Sequence, residues 1–191
     1  MEFTMTIPRL LKLDDSFTTI LVPGLRDSDD YHWQTCWARR LPRWKRISQR
    51  NWLQPDIENW GAAIRRELAT CTLPVILIGH SFGALASWYQ VQSRAVNVAG
   101  IVMVAPAEPS HFELEEVVTA SKLKIPGMVF ASHNDPLMSF NRAVFWSDSW
   151  GCELIDVGDA GHINSESGFG EWEYGLEKVS EFGEMLLKTD K

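Results

Sequence analysis

The sequence predicts an α/β fold: a three-layer sandwich in which a mainly parallel sheet lies between two layers of helices. Three observations lead there. Short apolar runs, Thr18 to Val22 (TTILV), Val75 to Ile78 (VILI), Ala99 to Ala105 (AGIVMVA) and Gly127 to Ala131 (GMVFA), are apolar on both strand faces. Strands of that kind are buried on both sides, as in parallel sheets covered by helices. Helix-forming stretches alternate with these runs, and that order is the signature of βαβ units. Right-handed crossovers then bring every strand-to-helix loop to one edge of the sheet, where a functional constellation assembles.

Taken in order, residues 1 to 16 read as an irregular lead-in and Thr18 to Val22 as the first strand, ending at Pro23-Gly24. A loop from Leu25 to Tyr31 precedes a helix around His32 to Arg40. Lys45 to Arg50 is assigned as a strand mainly from its place in the alternation. Asp56 is a suitable cap for a helix from Ile57 to Ala69, on which Trp60, Ile64 and Leu68 share one face at helical spacing. The run Val75 to Ile78 passes through Gly79-His80-Ser81-Phe82-Gly83 into a helix carrying Ala84, Leu85, Ala86 and Trp88. After the strand Ala99 to Ala105, a short connection through Glu113 to Ala120 leads to the strand Gly127 to Ala131. A helix over Phe140 to Trp150, a strand over Glu153 to Val157 and a last helix from about Tyr174 to Leu187 complete the chain. No repeat or linker interrupts this pattern, so residues 1–191 are read as one domain.

Composition narrows the function classes. With 191 residues, 45% of them apolar and 23% charged, the chain has the make-up of an ordinary globular protein that folds without disulfide or metal. A formal charge of −7 argues against a nucleic-acid surface, which needs a basic footprint. The basic cluster Arg39, Arg40, Arg43, Lys45 and Arg46 is interrupted by Pro42 and Trp44 and reads as a solvated helix end. Cys36, Cys71 and Cys152 are odd in number, widely spaced and free of C-x-x-C pairing, which favours thiols in a reducing compartment. The N-terminus lacks a basic region followed by a long apolar stretch, and no apolar run approaches the ~20 residues of a membrane span. The expectation is a cytoplasmic protein with no membrane or nucleic-acid partner, and nothing in the sequence indicates a protein partner.

Gly79-His80-Ser81-Phe82-Gly83 matches G-x-S-x-G between a strand and a helix, the context of a nucleophile elbow. A serine on so sharp a turn needs glycines two residues either side, because strand and helix pass too close for side chains. The Phe82 amide then sits at a helix N-terminus, able to donate to a developing oxyanion. A serine nucleophile also needs a base, since its hydroxyl is not ionised at neutral pH. Two downstream loops supply one: Ser132-His133-Asn134-Asp135-Pro136 and Gly158-Asp159-Ala160-Gly161-His162. In the order serine, acid, histidine, Asp135 orients His162, which takes the serine proton. Asp159 stays as the competing acid, although its closeness to His162 suits a turn cap better. The loop after the first strand offers the second oxyanion donor, the Leu25 amide, with Gly24 permitting close approach. His80 reads as a packing or hydrogen-bonding residue, and His32, His111 and His133 as supporting or solvent-facing ones. The histidines show no metal-ligand spacing, so neither a metal nor any other cofactor is expected.

Four blocks, VPGLRDSDDYHWQTCW, GHSFGA, SHNDP and GHINSESGFGEWEYG, span nearly the whole chain. On these blocks the sequence resembles the family of small α/β-hydrolases that contains retinoblastoma-binding protein nine and the bacterial YdeN-type proteins. The resemblance implies a reduced α/β-hydrolase fold of six mainly parallel strands. It also implies a Ser-Asp-His triad falling on Ser81, Asp135 and His162, and activity on small ester or amide substrates. The first loop departs from many relatives in carrying the charged sequence Leu25-Arg26-Asp27-Ser28 in place of a glycine- or serine-rich turn.

In larger hydrolases a lid is inserted before the acid strand, but here Pro106 to Pro126 has room for only a short helix. A minimal lid gives a shallow site suited to a small acyl group. Trp33, Phe112 and Phe169 are the candidate pocket residues, with Trp37 and Phe82 as further aromatic walls. The expected function is a serine hydrolase acting on a small-molecule acyl substrate through an acyl-enzyme on Ser81, whether ester, amide or thioester, and with water or another acceptor. The alternative is a binding protein that keeps the fold without turnover, against which the intact Ser81, Asp135 and His162 speak.

Overall fold

A computed structural model describes residues 6–93 and 97–189. Its centre is a six-stranded sheet: β1 (Thr18–Val22), β2 (Lys45–Arg46), β3 (Val75–His80), β4 (Val98–Val104), β5 (Gly127–Ala131) and β6 (Glu153–Asp156). The spatial order is β2-β1-β3-β4-β5-β6, and every neighbouring pair is parallel. The chain runs outward from β1 to β2, then returns to lay β3 on the other side of β1. The strand order therefore reverses between β1 and β3, the topological switch point at which open α/β sheets form their crevice.

Among the described residues six helices cover the two faces: α1 (Thr6–Leu13), α2 (Trp33–Arg40), α3 (Ile57–Leu68), α4 (Phe82–Gln92), α5 (Phe140–Trp150) and α6 (Glu173–Thr189). Alternation along the strands divides the core in two. Ile20, Val22, Leu77, Ile101 and Met103 pack with Trp60, Trp88 and Trp150 beneath α3, α4 and α5. Leu21, Ile76, Ile78, Val102 and Val104 pack with Trp33, Trp37 and Phe182 beneath α1, α2 and α6. β3 is buried at all six positions, which is why its sequence carries no polar alternation.

Two local readings are corrected. The stretch read as an irregular lead-in contains α1, whose Leu10 and Leu13 are buried and which packs against α6, where Leu13 meets Gly183. Pro8 falls in its first turn, where the missing N–H breaks no helical bond. The second strand is confined to Lys45–Arg46 because it lies at the sheet edge and pairs only with β1. Between β4 and β5, where the sequence left room for only a short helix, stands a 3-10 turn, Pro109–Phe112. Asp56 caps α3 as its residue type suggests, accepting from the amides of Glu58 and Asn59. The four arginines of the basic cluster are held in ion pairs: Arg39 with Asp30, Arg40 with Glu171 and Glu173, Arg43 with Asp15, and Arg46 with Asp27. Among the described residues no helix is long and apolar enough to cross a membrane.

Candidate active site

β3 passes into α4 through Ser81, whose backbone is held at φ 55° and ψ −123°, a left-handed conformation unfavourable for a residue with a side chain. Both flanking glycines are sterically required. A Cβ on Gly79 would lie 2.6 Å from the Gly83 carbonyl oxygen and 2.7 Å from the Ala84 Cα. One on Gly83 would lie 2.2 Å from the Val22 oxygen and 2.4 Å from the Pro23 oxygen. The elbow is thus wedged against both its own helix and the end of β1. The next loop closes on it from the front, since a Cβ on Gly24 would stand 2.9 Å from the Ser81 Cβ and 3.5 Å from the Phe82 nitrogen. Neither the Phe82 nor the Leu25 amide donates to a protein acceptor among the described residues.

The two downstream loops meet at the same edge of the sheet. Asp135 lies beyond β5, and its carboxylate accepts from the His162 Nδ1–H at 3.0 and 2.9 Å while also accepting from the Leu137 amide at 2.8 Å. The acid side chain is 3% exposed and the imidazole 11% exposed, so the pair is shielded from competing water. With Nδ1 as the donor, Nε2 carries the lone pair of the neutral ring, and it is buried without a protein partner. The competing acid, Asp159, is exposed and makes no bond to the imidazole.

The His162 loop is pinned from several elements. The Ser132 hydroxyl accepts from the Ala160 amide at 2.9 Å and the Asn134 carboxamide oxygen accepts from the Gly161 amide at 2.7 Å. The Trp33 indole donates to the Ile163 carbonyl at 2.9 Å, and the His80 Nε2–H donates to the His162 carbonyl at 2.9 Å. Gly161, at φ 56°, and Ile163, at φ 47°, bend the loop so that these groups can reach it. Sequence reasoning missed most of these supports. The block Ser132-His133-Asn134-Asp135 was the available signal, because short polar side chains around an acid suit turn bonding.

A cavity of about 570 Å³ opens over this constellation, lined among others by Leu25, Arg26, His32, His80, Ser81, Phe112, Leu137 and His162. Of the three candidate pocket residues only Phe112 lines it, its ring packed edge-on to Phe82 at 5.0 Å. Trp33 is fully buried in the core and serves as the donor to Ile163, and Phe169 packs edge-on to Trp172 at 5.5 Å. Neither lines the cavity, because both are drawn into the aromatic cluster under α2 and α6. Trp37 and Phe82 are likewise buried. A larger cavity of about 670 Å³ lies between α3 and the segment Ser48 to Asn51, and holds none of these residues.

Electrostatics at the floor are set by burial. His32 is 3% exposed and burial pushes its pKa down to about 4, with Arg46 and His162 adding to the fall against the pull of Asp29. His80 is held well below the ordinary histidine value by burial and by its two histidine neighbours. The three rings form a row, His32 to His80 at 4.7 Å and His80 to His162 at 4.9 Å. Among the described residues no group of three or more His, Cys, Asp or Glu side chains is arranged to hold a metal.

Comparison with known proteins agrees with this architecture. A sequence model described as serine hydrolase matches residues 19–181. The chain is 56% identical to a YdeN-like hydrolase of Pectobacterium atrosepticum, over 97% of this chain and 99% of that one, with a TM-score of 0.93. The ydeN gene product of Bacillus subtilis is 22% identical over 87% of this chain and 98% of that one, with a TM-score of 0.71. An esterase domain of a Rhodothermus marinus protein is similar in fold, at 15% identity, 87% and 85% coverage and a TM-score of 0.66. No curated protein gives a significant match. The sheet order, the helices on both faces and these likenesses make the architecture a reduced α/β-hydrolase fold, and the chain belongs to the serine hydrolase family, among its YdeN-like members.

Proposed function

We propose that this serine hydrolase is an esterase for small acyl groups, working through an acyl-enzyme on Ser81 with His162 as base and Asp135 as its orienting acid. The observation that carries the reading is the imidazole: Nδ1 is committed to Asp135, while the buried Nε2 has no protein partner and shares a cavity with Ser81. As Oγ of Ser81 attacks the ester carbonyl carbon, Nε2 takes its proton, and Asp135 stabilises the imidazolium that results. The carbonyl oxygen becomes an oxyanion that accepts from the Phe82 and Leu25 amides. When the tetrahedral intermediate collapses, the proton on Nε2 passes to the leaving alkoxide. Water then attacks the acyl carbon, giving its proton to Nε2, which returns it to Oγ as the acid leaves.

A small acyl group follows from the cavity of about 570 Å³ and from the 3-10 turn that stands where larger hydrolases insert a lid. The test is intact-protein mass after fluorophosphonate treatment of wild type, Ser81→Ala and His162→Ala, with short p-nitrophenyl esters assayed alongside. One adduct on Ser81, absent from Ser81→Ala and diminished in His162→Ala, is expected. Loss of ester turnover by about 10³-fold or more in either variant is expected too. No adduct and no turnover in wild type would overturn the reading and leave a ligand-binding protein on a hydrolase fold.

A further inference from the structure

His32 opens α2 as its N-cap, and its Nδ1 accepts from the Gln34 amide at 3.2 Å. A ring nitrogen that accepts carries no proton, so the proton of the neutral imidazole is on Nε2. That Nε2–H is buried and has no hydrogen-bond partner in the protein. Buried donors are almost always satisfied, and an orphan calls for an explanation. His32 is 3% exposed, yet it lines the same cavity as Ser81 and His162, one ring beyond His80. An unpartnered buried donor on a cavity-lining side chain is a candidate contact for whatever fills the cavity.

We propose that the Nε2–H of His32 is a substrate-binding donor, and that the acyl group it selects carries a neutral oxygen acceptor: a hydroxyl, an ether or a carbonyl. This deepens the esterase reading and rests on Ser81 being the residue acylated. The charged neighbours favour a neutral acceptor over a carboxylate. Arg26, Asp27, Asp29 and Glu166 line the cavity, three carboxylates to one guanidinium. Asp27 is engaged by Arg46, and Asp29 by the Ser165 hydroxyl and the Tyr31 amide. A carboxylate in this setting would meet a neutral ring and nearby like charges, whereas an ether or hydroxyl satisfies the donor without adding charge. An acyl chain with a methylene there leaves the donor orphaned, and sites built around a buried polar group reject such analogues.

The experiment compares p-nitrophenyl methoxyacetate with p-nitrophenyl butyrate, which differ by an ether oxygen in place of a methylene. Each is assayed on wild type and on His32→Asn, whose side-chain oxygen keeps the N-cap but places no N–H where Nε2 stood. The intrinsic reactivity of each ester cancels in the ratio of ratios. The methoxyacetyl-to-butyryl preference in kcat/KM is expected to fall about 10-fold in His32→Asn. An unchanged preference would overturn the proposal. Ring ¹⁵N NMR of Ser81→Ala with methoxyacetamide and butyramide decides independently of turnover and of how well His32→Asn folds. A shift of the His32 Nε2–H signal with methoxyacetamide alone supports the subsite. Equal shifts with both amides, or none, refute it even if Ser81 proves to be the nucleophile. If wild type hydrolyses neither ester, the esterase reading fails while this titration still judges the donor.

Discussion

Lowering the pH from 7 to 5.5 is expected to destabilise the fold by way of two histidines that catalysis does not titrate. An unfolded histidine has a pKa near 6.5 and is mostly protonated at pH 5.5. His32, pushed down to about 4 by burial, stays neutral there, and His80 is held lower than its ordinary value for the same reason. The unfolded chain therefore binds more protons across this window, and stability falls as pH falls. For His32 the linkage integral between pH 7 and 5.5 is about 1.2 kcal/mol, and His80 adds to it in the same direction. The contribution is fully present above pH 6.5 and is exhausted only as pH passes through the folded value near 4. Urea unfolding at the two pH values, on wild type and His32→Asn, isolates the effect. The variant should lose about 1.2 kcal/mol less than wild type over the same interval, whatever its stability at pH 7. If wild type and variant lose the same amount, His32 is not held neutral by burial and the electrostatic account of the cavity floor is wrong.

Two further outcomes follow from the site's construction. Gly83→Ala places a Cβ 2.2 Å from the Val22 carbonyl oxygen, against backbone that cannot turn aside, and should cost about 2–3 kcal/mol. Gly158→Ala, which meets nothing within 4 Å but keeps φ at +71°, should cost only about 1 kcal/mol; equal thermal midpoints for the two variants would refute the wedging of the elbow. Asp135→Asn keeps an oxygen on the Leu137 amide but sets its NH2 where Oδ2 faced Nδ1–H, which favours the tautomer in which Nδ1 accepts and Nε2 carries the proton, so turnover of p-nitrophenyl acetate should fall about 10⁴-fold. A loss under 10-fold would show that Asp135 does not orient the base.

The sequence alone determined the order of the strands and the residues of the inner ones, because a strand buried on both faces is apolar nearly throughout, as β3 is from Val75 to Gly79. It also marked the elbow, since only glycine fits where Gly79 meets α4 and Gly83 meets β1, and that requirement is written into five consecutive residues. Residue order likewise favoured Asp135 over Asp159. The eight residues of α1 escaped because so short a helix is marginal by itself, whatever its pattern, and is held by packing on α6. Tertiary structure alone decided what surrounds Ser81 and His162. An aromatic residue in a loop or at a helix start is drawn to whichever apolar surface it reaches, so Trp33 and Phe169 went to the core and Phe112 to the cavity. The row of His32, His80 and His162 joins residues from three separate segments, and the way those segments meet leaves the Nε2–H of His32 without a protein partner beside the cavity. Contacts of that kind depend on three-dimensional neighbours, which local spacing along one chain does not encode.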